Sequence, residues 1–140
     1  MKVTKALLLR ELNKDLEWEY AAAIQYVQHA AMITGPEYES ISKELIIHSQ
    51  EEMQHAVSLS EQIAFLGATP TVDVERREIS PDSRKMLEQD LSGEDNAINR
   101  YKQRIQQAEA LKEFGLRRVL EDILIMEEEH KRDLQMVLRK

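Results

Sequence analysis

The sequence predicts an all-α protein, an antiparallel four-helix bundle with one long crossover between its second and third helices. Three observations support this fold class. The chain of 140 residues contains only 4 Gly and 3 Pro, while strong helix formers such as Leu, Glu, Lys and Ala dominate. Apolar residues recur at alternating intervals of three and four along four long segments. The segment 67–81, extended at roughly 3.3 Å per residue, can run back along a bundle of 30-residue helices.

Start and stop signals place the four helices in order. The Gly35-Pro36 breaker ends the first helix and Gly67 ends the second. Asp82 or Ser83 is a candidate cap for the third helix, just after Pro81. The predicted helices cover about 4–34, 37–66, from 83 to between 109 and 115, and from there nearly to the carboxyl terminus. The short first and third connections make antiparallel pairs, so the topology is up–down–down–up in one domain, 1–140.

Composition excludes several classes of function. The chain has no cysteine, which excludes disulfides, thiolate metal sites and cysteine catalysis. Its net charge of −7 argues against a nucleic-acid partner and favours the attraction of cations. No apolar run approaches the roughly 20 residues that span a bilayer, and the amino terminus does not resemble a signal peptide. We therefore expect no membrane partner and a cytoplasmic location.

A faint internal repeat runs through the chain. A single shift of the sequence along itself, without a gap, aligns many identical residues, and two similar helical hairpins explain this most simply. The aligned pairs include Leu12 and Leu87, Leu16 and Leu91, Glu19 and Glu94, Tyr26 and Tyr101, Glu52 and Glu127, and His55 and His130.

Each predicted helix carries one glutamate on its inward-facing line of apolar residues. These are Glu19, Glu52, Glu94 and Glu127, and the second and fourth helices add His55 and His130 three residues later. A single glutamate of this kind usually turns its carboxylate out to solvent. Four buried together would cost several kcal/mol each unless bound protons or metal cations neutralised them. Oxygen-rich sites with one imidazole per metal suit iron or manganese.

Other polar residues lie near these lines. Tyr26 and Tyr101 either donate hydrogen bonds to the glutamates across the bundle or simply pack in the core. His48 is either a partner of the ligands or an extra ligand, with a core or rim histidine as the preferred interpretation, and His29 is predicted to be structural. Glu51 falls off the inward line and is expected to face solvent.

Three stretches carry a family resemblance. LNKDLEWEYAAAIQYVQHA resembles the first helix of bacterioferritins, and EEMQHA and EEEHKRD resemble their second and fourth helices. The set is typical of the ferritin-like di-iron carboxylate superfamily, and rubrerythrins share it. Rubrerythrins normally add a cysteine-bearing module and a further glutamate in the third helix, where this chain has no cysteine and Ala97. Bacterioferritin is therefore the preferred resemblance, with a rubrerythrin-like domain as the second choice.

The resemblance implies a catalytic dinuclear iron site. Glu19, Glu52 and His55 would serve one metal, and Glu94, Glu127 and His130 the other, with Glu52 and Glu127 bridging. It implies a ferroxidase that oxidises Fe(II) with O₂ or H₂O₂ in iron homeostasis and detoxification, and a homodimer or larger homo-oligomer. Bacterioferritins have a further short helix that helps to build their shell, which this sequence does not show.

Alternatives remain open. Met53 occupies the position of a haem-ligating methionine in bacterioferritins, although a packing methionine is the preferred interpretation. The metals of the site could be manganese. The second functional hypothesis is a di-iron or di-manganese peroxidase or catalase with an external electron donor. The third is a metal-free helical interaction module with protonated carboxylates.

Overall fold

The computed structural model describes residues 2–139, which form four long helices. They are α1 (Lys5–Met32), α2 (Glu39–Phe65), α3 (Ser83–Ala110) and α4 (Phe114–Leu138), and a short 3₁₀ turn (Pro36–Tyr38) precedes α2. No β-strand occurs among the described residues, so the predicted all-α class is confirmed. None of these helices is long and apolar enough to cross a membrane.

Side-chain caps begin two of the helices. Thr4 Oγ1 accepts a hydrogen bond from Leu7 N at 3.1 Å at the start of α1. Asp82 Oδ2 accepts one from Lys85 N at 2.9 Å at the start of α3, which makes Asp82 the cap of that helix. Each bond satisfies a backbone N–H that has no partner within its own helix.

The ends of α2 and α3 use the same backbone motif. Gly67 has φ 97°; its N–H donates to Ala64 O, and the N–H of Ala68 donates to Ile63 O. This pair of bonds is a Schellman motif, which requires a left-handed residue just past the helix. Lys112 takes the same place after α3 with φ 60°. A residue with a side chain is strained there, because its Cβ crowds the following carbonyl.

The first connection differs slightly from the prediction. α1 ends at Met32 and α2 starts at Glu39, so each helix stops short of its predicted limit at this connection. Pro36 disfavours a helical conformation in the residue before it, and Gly35 has φ 114°. The chain therefore leaves α1 early and enters α2 through the tighter 3₁₀ turn.

Pairs of residues in contact fix the helix directions. In three neighbouring pairs of helices, later positions on one lie against earlier positions on the other, so the helices of each pair are antiparallel. The pairs are Asp15–Arg104 and Tyr26–Glu94 for α1 and α3, His48–Asp133 and His55–Glu127 for α2 and α4, and Ser42–Ala30 and Ser49–Ala23 for α2 and α1. This is the predicted up–down–down–up arrangement.

The crossover between α2 and α3 runs along α1. Asn13 Nδ2 donates to Thr69 O at 3.2 Å, and its Oδ1 accepts from Thr71 N at 2.8 Å. Further along, Glu75 N donates to Glu17 O at 3.3 Å. These bonds satisfy backbone groups of the extended segment that would otherwise bond to water. They hold the segment along α1 as it returns to the end of the bundle where α3 starts.

Two apolar layers enclose a polar middle. One layer contains Leu8, Leu12, Leu16, Leu59, Ile63, Leu116 and Leu120. The other contains Tyr26, Ile41, Leu45, Leu87 and Leu134. Between them every helix contributes a buried glutamate. The apolar layers supply the burial that stabilises the bundle, and they hold the polar layer in a nearly water-free position.

Candidate metal centre

All six residues predicted for the site meet in the polar middle of the bundle. Each is buried, and they are Glu19 of α1, Glu52 and His55 of α2, Glu94 of α3, and Glu127 and His130 of α4. The Glu-x-x-His spacing of α2 and α4 puts both side chains of each pair on one helical face. The side chains form two groups that overlap.

The first group joins Glu19, Glu52, His55 and Glu127. Each offers one ligating atom, and these atoms all lie within 4.8 Å of one another. His55 Nδ1 is 3.2 Å from Glu52 Oε1, 3.5 Å from Glu19 Oε2 and 3.7 Å from Glu127 Oε1. One imidazole and three carboxylates therefore surround one point.

The second group joins Glu52, Glu94, Glu127 and His130 under the same 4.8 Å limit. His130 Nδ1 is 3.1 Å from Glu94 Oε2, 3.3 Å from Glu127 Oε1 and 3.4 Å from Glu52 Oε1. Glu52 and Glu127 belong to both groups. They lie where two neighbouring cations would share them, which is the bridging position that the resemblance assigns to them.

The donor atoms fit a pair of metal cations. Among the residues that the structure describes, five buried carboxylate oxygens of the site have no hydrogen-bond partner: Glu19 Oε2, Glu52 Oε1, Glu94 Oε1 and both oxygens of Glu127. Buried polar atoms without partners are rare and costly, so several in one place need an explanation. Four carboxylates balance the charge of two divalent cations, and mixed oxygen and imidazole donors suit iron or manganese.

The pKa values in the metal-free site follow from crowding. Burial, together with the charges of Glu19 and Glu94, raises the pKa of Glu52 to about 8. Burial and the charge of Glu52 raise the pKa of Glu127 well above its ordinary range. For His130, burial acts to lower the pKa, but contacts with Glu127 and Glu52 outweigh it and raise the pKa. Without metal, the carboxyl groups of Glu52 and Glu127 and this imidazole therefore hold protons near neutral pH.

Two tyrosines hold the outer glutamates. Tyr26 Oη donates a hydrogen bond to Glu94 Oε2, and Tyr101 Oη donates one to Glu19 Oε1. Each bond crosses between α1 and α3, and each leaves the other carboxylate oxygen without a partner. Tyr101 leaves Glu19 Oε2 facing His55 Nδ1 at 3.5 Å, whereas Tyr26 binds the same Glu94 oxygen that lies 3.1 Å from His130 Nδ1. Core packing is therefore not the sole role of either tyrosine.

The expectation that Glu51 faces solvent is wrong. Glu51 is half-buried, and its Oε1 lies 3.0 Å from His130 Nε2. A proton on Nε2 donated to Glu51 leaves the Nδ1 lone pair free for a metal, which is the usual way a carboxylate orients a ligating histidine. The repeat gave no signal for this contact, since it aligns Glu51 with Met126.

Comparison with known proteins agrees with this geometry. The ferritin-like domain model matches residues 9–140. The chain belongs to the ferritin-like family. It is similar to a crystal structure of a ferritin-like, diiron-carboxylate protein from Bacillus anthracis, with a TM-score of 0.93, 34% identity, and 99% of both chains covered.

Curated relatives of this ferritin-like chain include a bacterioferritin. The protein from Brucella melitensis is 29% identical over 124 residues, which cover 88% of this chain and 77% of the relative. A nutrient stress-induced DNA-binding protein from Nostoc is 30% identical over 139 residues, which cover 92% of this chain and 76% of the relative. The predicted recognition of the ferritin-like superfamily, near bacterioferritin, is confirmed.

Buried polar contacts flank the centre of this ferritin-like bundle, and the sequence reasoning missed them. Asp15 accepts hydrogen bonds from Arg104 Nε and Arg100 Nη1, both at 2.7 Å. Asp90 Oδ1 lies 2.8 Å from His29 Nδ1. The shift that pairs the site residues also aligns Asp15 with Asp90 and His29 with Arg104, so the repeat did contain the signal. The two pairs brace α1 against α3 on either side of the glutamates.

The crossover places an arginine over the seam between α1 and α3. Arg77 Nε donates to Gln25 Oε1 at 2.8 Å. The guanidinium groups of Arg77 and Arg100 each lie 5.6 Å from the ring of Trp18. Gly93 leaves room for this arrangement, because a Cβ there would come within 3.1 Å of Arg77 Nη2.

A small cavity lies beneath this arginine. It measures about 20 Å³, and its walls include Trp18 and Arg77 on the outside and Glu19, Glu52 and Glu94 on the inside. That volume holds about one water or another molecule of two or three atoms. Arg77 and Arg100 both line this cavity.

Two other residues that the sequence analysis singled out, His48 and Met53, lie outside the two donor groups. His48 is a core histidine, fully buried, and its ring stacks on that of His130 with centroids 4.0 Å apart. Met53 is 45% exposed on α2, so it does not pack in the core of its own chain. Its suggested part in haem binding stays a prediction.

Proposed function

We propose that this ferritin-like protein binds two iron ions in the polar middle of the bundle and oxidises Fe(II) with O₂ or H₂O₂. The observation that supports the proposal is the sharing of Glu52 and Glu127 between two four-residue donor groups, which include five buried oxygens without a hydrogen-bond partner among residues 2–139. Two bound Fe(II) ions supply one electron each to the oxidant. Such a ferroxidase would serve iron handling and detoxification.

The side chains have distinct tasks in this proposal. Glu52 and Glu127 hold protons when the site is empty of metal and release them when cations bind, because their pKa values are raised by burial and by their neighbours. Glu19 and Glu94 each offer one oxygen while a tyrosine holds the other. The carboxylates can thus exchange protons for metal charge without a large rearrangement.

The histidines and the flanking groups fix the geometry. Glu51 keeps the Nδ1 of His130 directed at the centre. His55 directs its own Nδ1 at Glu52 and Glu19. On the α1/α3 side, Arg77 lies over the seam and lines a cavity of about 20 Å³ next to the carboxylates, so only a very small molecule fits there beside them.

The test is a matched pair of neighbouring substitutions. Glu127→Gln removes a shared carboxylate with almost no change of shape, whereas Glu128→Gln removes a neighbouring charge that belongs to neither donor group. We expect Glu127→Gln to lose rapid Fe(II) oxidation in stopped-flow absorbance and to bind less iron, while Glu128→Gln keeps both. Wild-type kinetics in Glu127→Gln would refute the proposal.

The same preparations separate the alternatives. Fast peroxide turnover that requires an added reductant would indicate a peroxidase, and manganese as the purified metal would point in the same direction. The absence of bound metal, with a melting temperature that iron does not change, would favour a metal-free interaction module. We expect iron binding and metal-dependent stabilisation instead.

We also propose a homodimer or larger homo-oligomer. The outer surfaces of α1 and α2 leave apolar side chains about half exposed: Ile24, Val27, Ile46, Ile47, Met53 and Val57. Exposed apolar groups at this density are typical of surfaces that associate. Sedimentation should give a mass above that of one chain, and the purified protein should lack the Soret band of haem.

A further inference from the structure

A second cluster of ligating side chains lies one helical turn from the centre, on the α2/α4 surface. Glu44, His48 and Asp133 each offer one ligating atom, and the three atoms lie within 4.8 Å of one another. His48 Nε2 is 3.0 Å from Asp133 Oδ2 and 4.0 Å from Glu44 Oε1. Because α2 and α4 both contribute, the packing of the two helices holds the cluster together.

The histidine of this cluster is buried while its carboxylates are open to solvent. The side chain of His48 is 0% exposed, and those of Glu44 and Asp133 are each 40% exposed. His48 Nδ1 has no hydrogen-bond partner among the described residues. A cation at Nε2 would move the ring proton to Nδ1 without breaking a bond there. Packing thus holds the imidazole ring in place, while a hydrated cation can reach the two exposed carboxylates.

The charges at the cluster are not balanced by the protein. Within residues 2–139 the salt bridges of Glu44 and Asp133 involve His48 alone, with no lysine or arginine. One imidazole and two carboxylates form a donor set for a divalent first-row cation, with water completing the coordination. With only three protein ligands at a partly exposed position, the bound cation can exchange with ions in solution and is not held permanently.

The cluster lies on the face of the bundle that a cation can approach. A groove of about 440 Å³ on the same α2/α4 face includes Glu51, His55 and Asp122 in its walls. On the opposite side, Arg77 and Arg100 stand over the seam between α1 and α3. The α2/α4 face therefore offers partly exposed carboxylates to an approaching cation, whereas guanidinium groups lie over the α1/α3 seam.

A short distance separates the cluster from the dinuclear centre. The rings of His48 and His130 stack with their centroids 4.0 Å apart, and His130 Nδ1 faces the carboxylates of the centre. An ion held at His48 Nε2 is therefore separated from the centre by little more than two imidazole rings.

We propose that Glu44, His48 and Asp133 form an accessory site for a divalent first-row cation, which holds Fe(II) at the α2/α4 surface before it enters the dinuclear centre. The staging role rests on the proposed ferroxidase function, whereas the binding site does not. The site is selective for cations by charge, and its imidazole favours transition metals over magnesium or calcium.

Binding of Co(II) to the metal-free protein, measured by equilibrium dialysis, tests the site. Asp133→Asn removes one ligand on the surface, and Glu129→Gln is the control, an exposed carboxylate on the same helix. We expect the affinity of the accessory site for Co(II) to fall at least about tenfold in Asp133→Asn. At Co(II) concentrations that just fill the wild-type site, this variant should therefore bind one ion per chain fewer, and Glu129→Gln should match the wild type. Equal binding curves for Asp133→Asn and the wild type overturn the accessory site.

A third variant separates this inference from the proposed function. Glu127→Gln should lose ions from the centre and keep the one at the accessory site. If Glu127→Gln binds as the wild type does while Asp133→Asn binds less, the dinuclear centre is refuted and the accessory site stands. Anomalous diffraction from Co(II)-soaked crystals should show a peak among the three ligands, and its absence at saturating Co(II) overturns the assignment.

Oxidation kinetics test the staging role. In Asp133→Asn the rate at low Fe(II) should fall several-fold, while the rate at saturating Fe(II) remains that of the wild type. A merely structural effect would lower both rates and the melting temperature. An unchanged dependence on Fe(II) concentration overturns the staging role.

Discussion

Raising the pH should destabilise the metal-free protein, and Glu52 allows the effect to be calculated. The pKa of this carboxyl is about 8 in the folded chain and about 4.3 in an unfolded one. The folded state therefore keeps a proton that the unfolded state has lost. The stability from this proton is fully present below the unfolded pKa, and it is lost as the pH rises through the folded pKa.

The size of the effect follows from the number of protons. One proton bound in the folded state alone changes the free energy of unfolding by about 1.4 kcal/mol per pH unit. Between about pH 5.5 and 7.5, the titration of Glu52 should therefore lower the free energy of unfolding by roughly 2 to 2.5 kcal/mol. The raised pKa values of Glu127 and His130 act in the same direction. The pKa of His48, lowered by burial and by the charge of His130, acts in the opposite direction.

Urea unfolding provides the assay. The chelator-treated protein should be followed by circular dichroism at both pH values and at one protein concentration, since association would otherwise shift the midpoint. Glu52→Gln is the matched variant, because it keeps the shape and cannot titrate. Its free energy of unfolding should vary with pH by about 2 kcal/mol less than that of the wild type over this interval. A wild-type stability that is flat or rises over the same interval would refute the reasoning.

Bound metal should reverse the sign of this dependence. Metal ligands must be deprotonated, so binding releases protons and becomes tighter as the pH rises. In the presence of Mn(II), which is not readily oxidised by air, the protein should be more stable at the higher pH. A metal-loaded protein that loses stability with pH as the metal-free form does would contradict the assignment of the carboxylates as ligands.

Three further substitutions test the fold around the centre. Lys112→Gly should stabilise the protein by about 0.5–1 kcal/mol in urea unfolding, because glycine relieves the left-handed strain at the cost of some chain entropy; a loss of stability would contradict this. Gly93→Ala should raise the free energy of unfolding by about 1 kcal/mol in an Arg77→Ala background, through the higher helix propensity of alanine. The increase should be smaller in the wild type, where Arg77 obstructs the new Cβ; equal increases in a double-mutant cycle would exclude the obstruction. Asp15→Ala should cost about 3–5 kcal/mol, since Arg104 is left buried without its partner, whereas a melting temperature indistinguishable from that of the wild type would show that the ion pair contributes little.

The helices and their order could be predicted because their signals are local. The spacing of apolar residues, the Gly35-Pro36 breaker, the cap at Asp82 and Gly67 all act within a few residues. The linker length then limited the topology to one that returns along the bundle. The end of α3 was the least defined, because its left-handed residue is Lys112, which carries no sequence signal comparable to glycine.

The candidate ligands could be named because they recur under one gapless shift of the sequence, on faces that must be buried. Contacts that break the repeat could not be found in this way. Glu51 and His48 align with Met126 and Ile123, and their positions depend on how α2 packs against α4. Arg77 comes from the irregular crossover, where no periodicity indicates which side chain turns inward.

The sequence by itself determined the fold class, the order of the helices and the six side chains that meet in the middle, because periodicity fixes which face of a helix is buried. The family resemblance already implied that Glu52 and Glu127 are shared, and the tertiary structure supplied the distances between helices that place both in the two donor groups. The tertiary structure alone decided that Glu51 contacts His130, since this depends on how α2 packs against α4. It also decided the difference between the two faces of the bundle. Arg77 of the crossover and Arg100 of α3 lie over one seam, and carboxylates line the other; the crossover adds Arg77 to the side of α1 because its hydrogen bonds are to that helix.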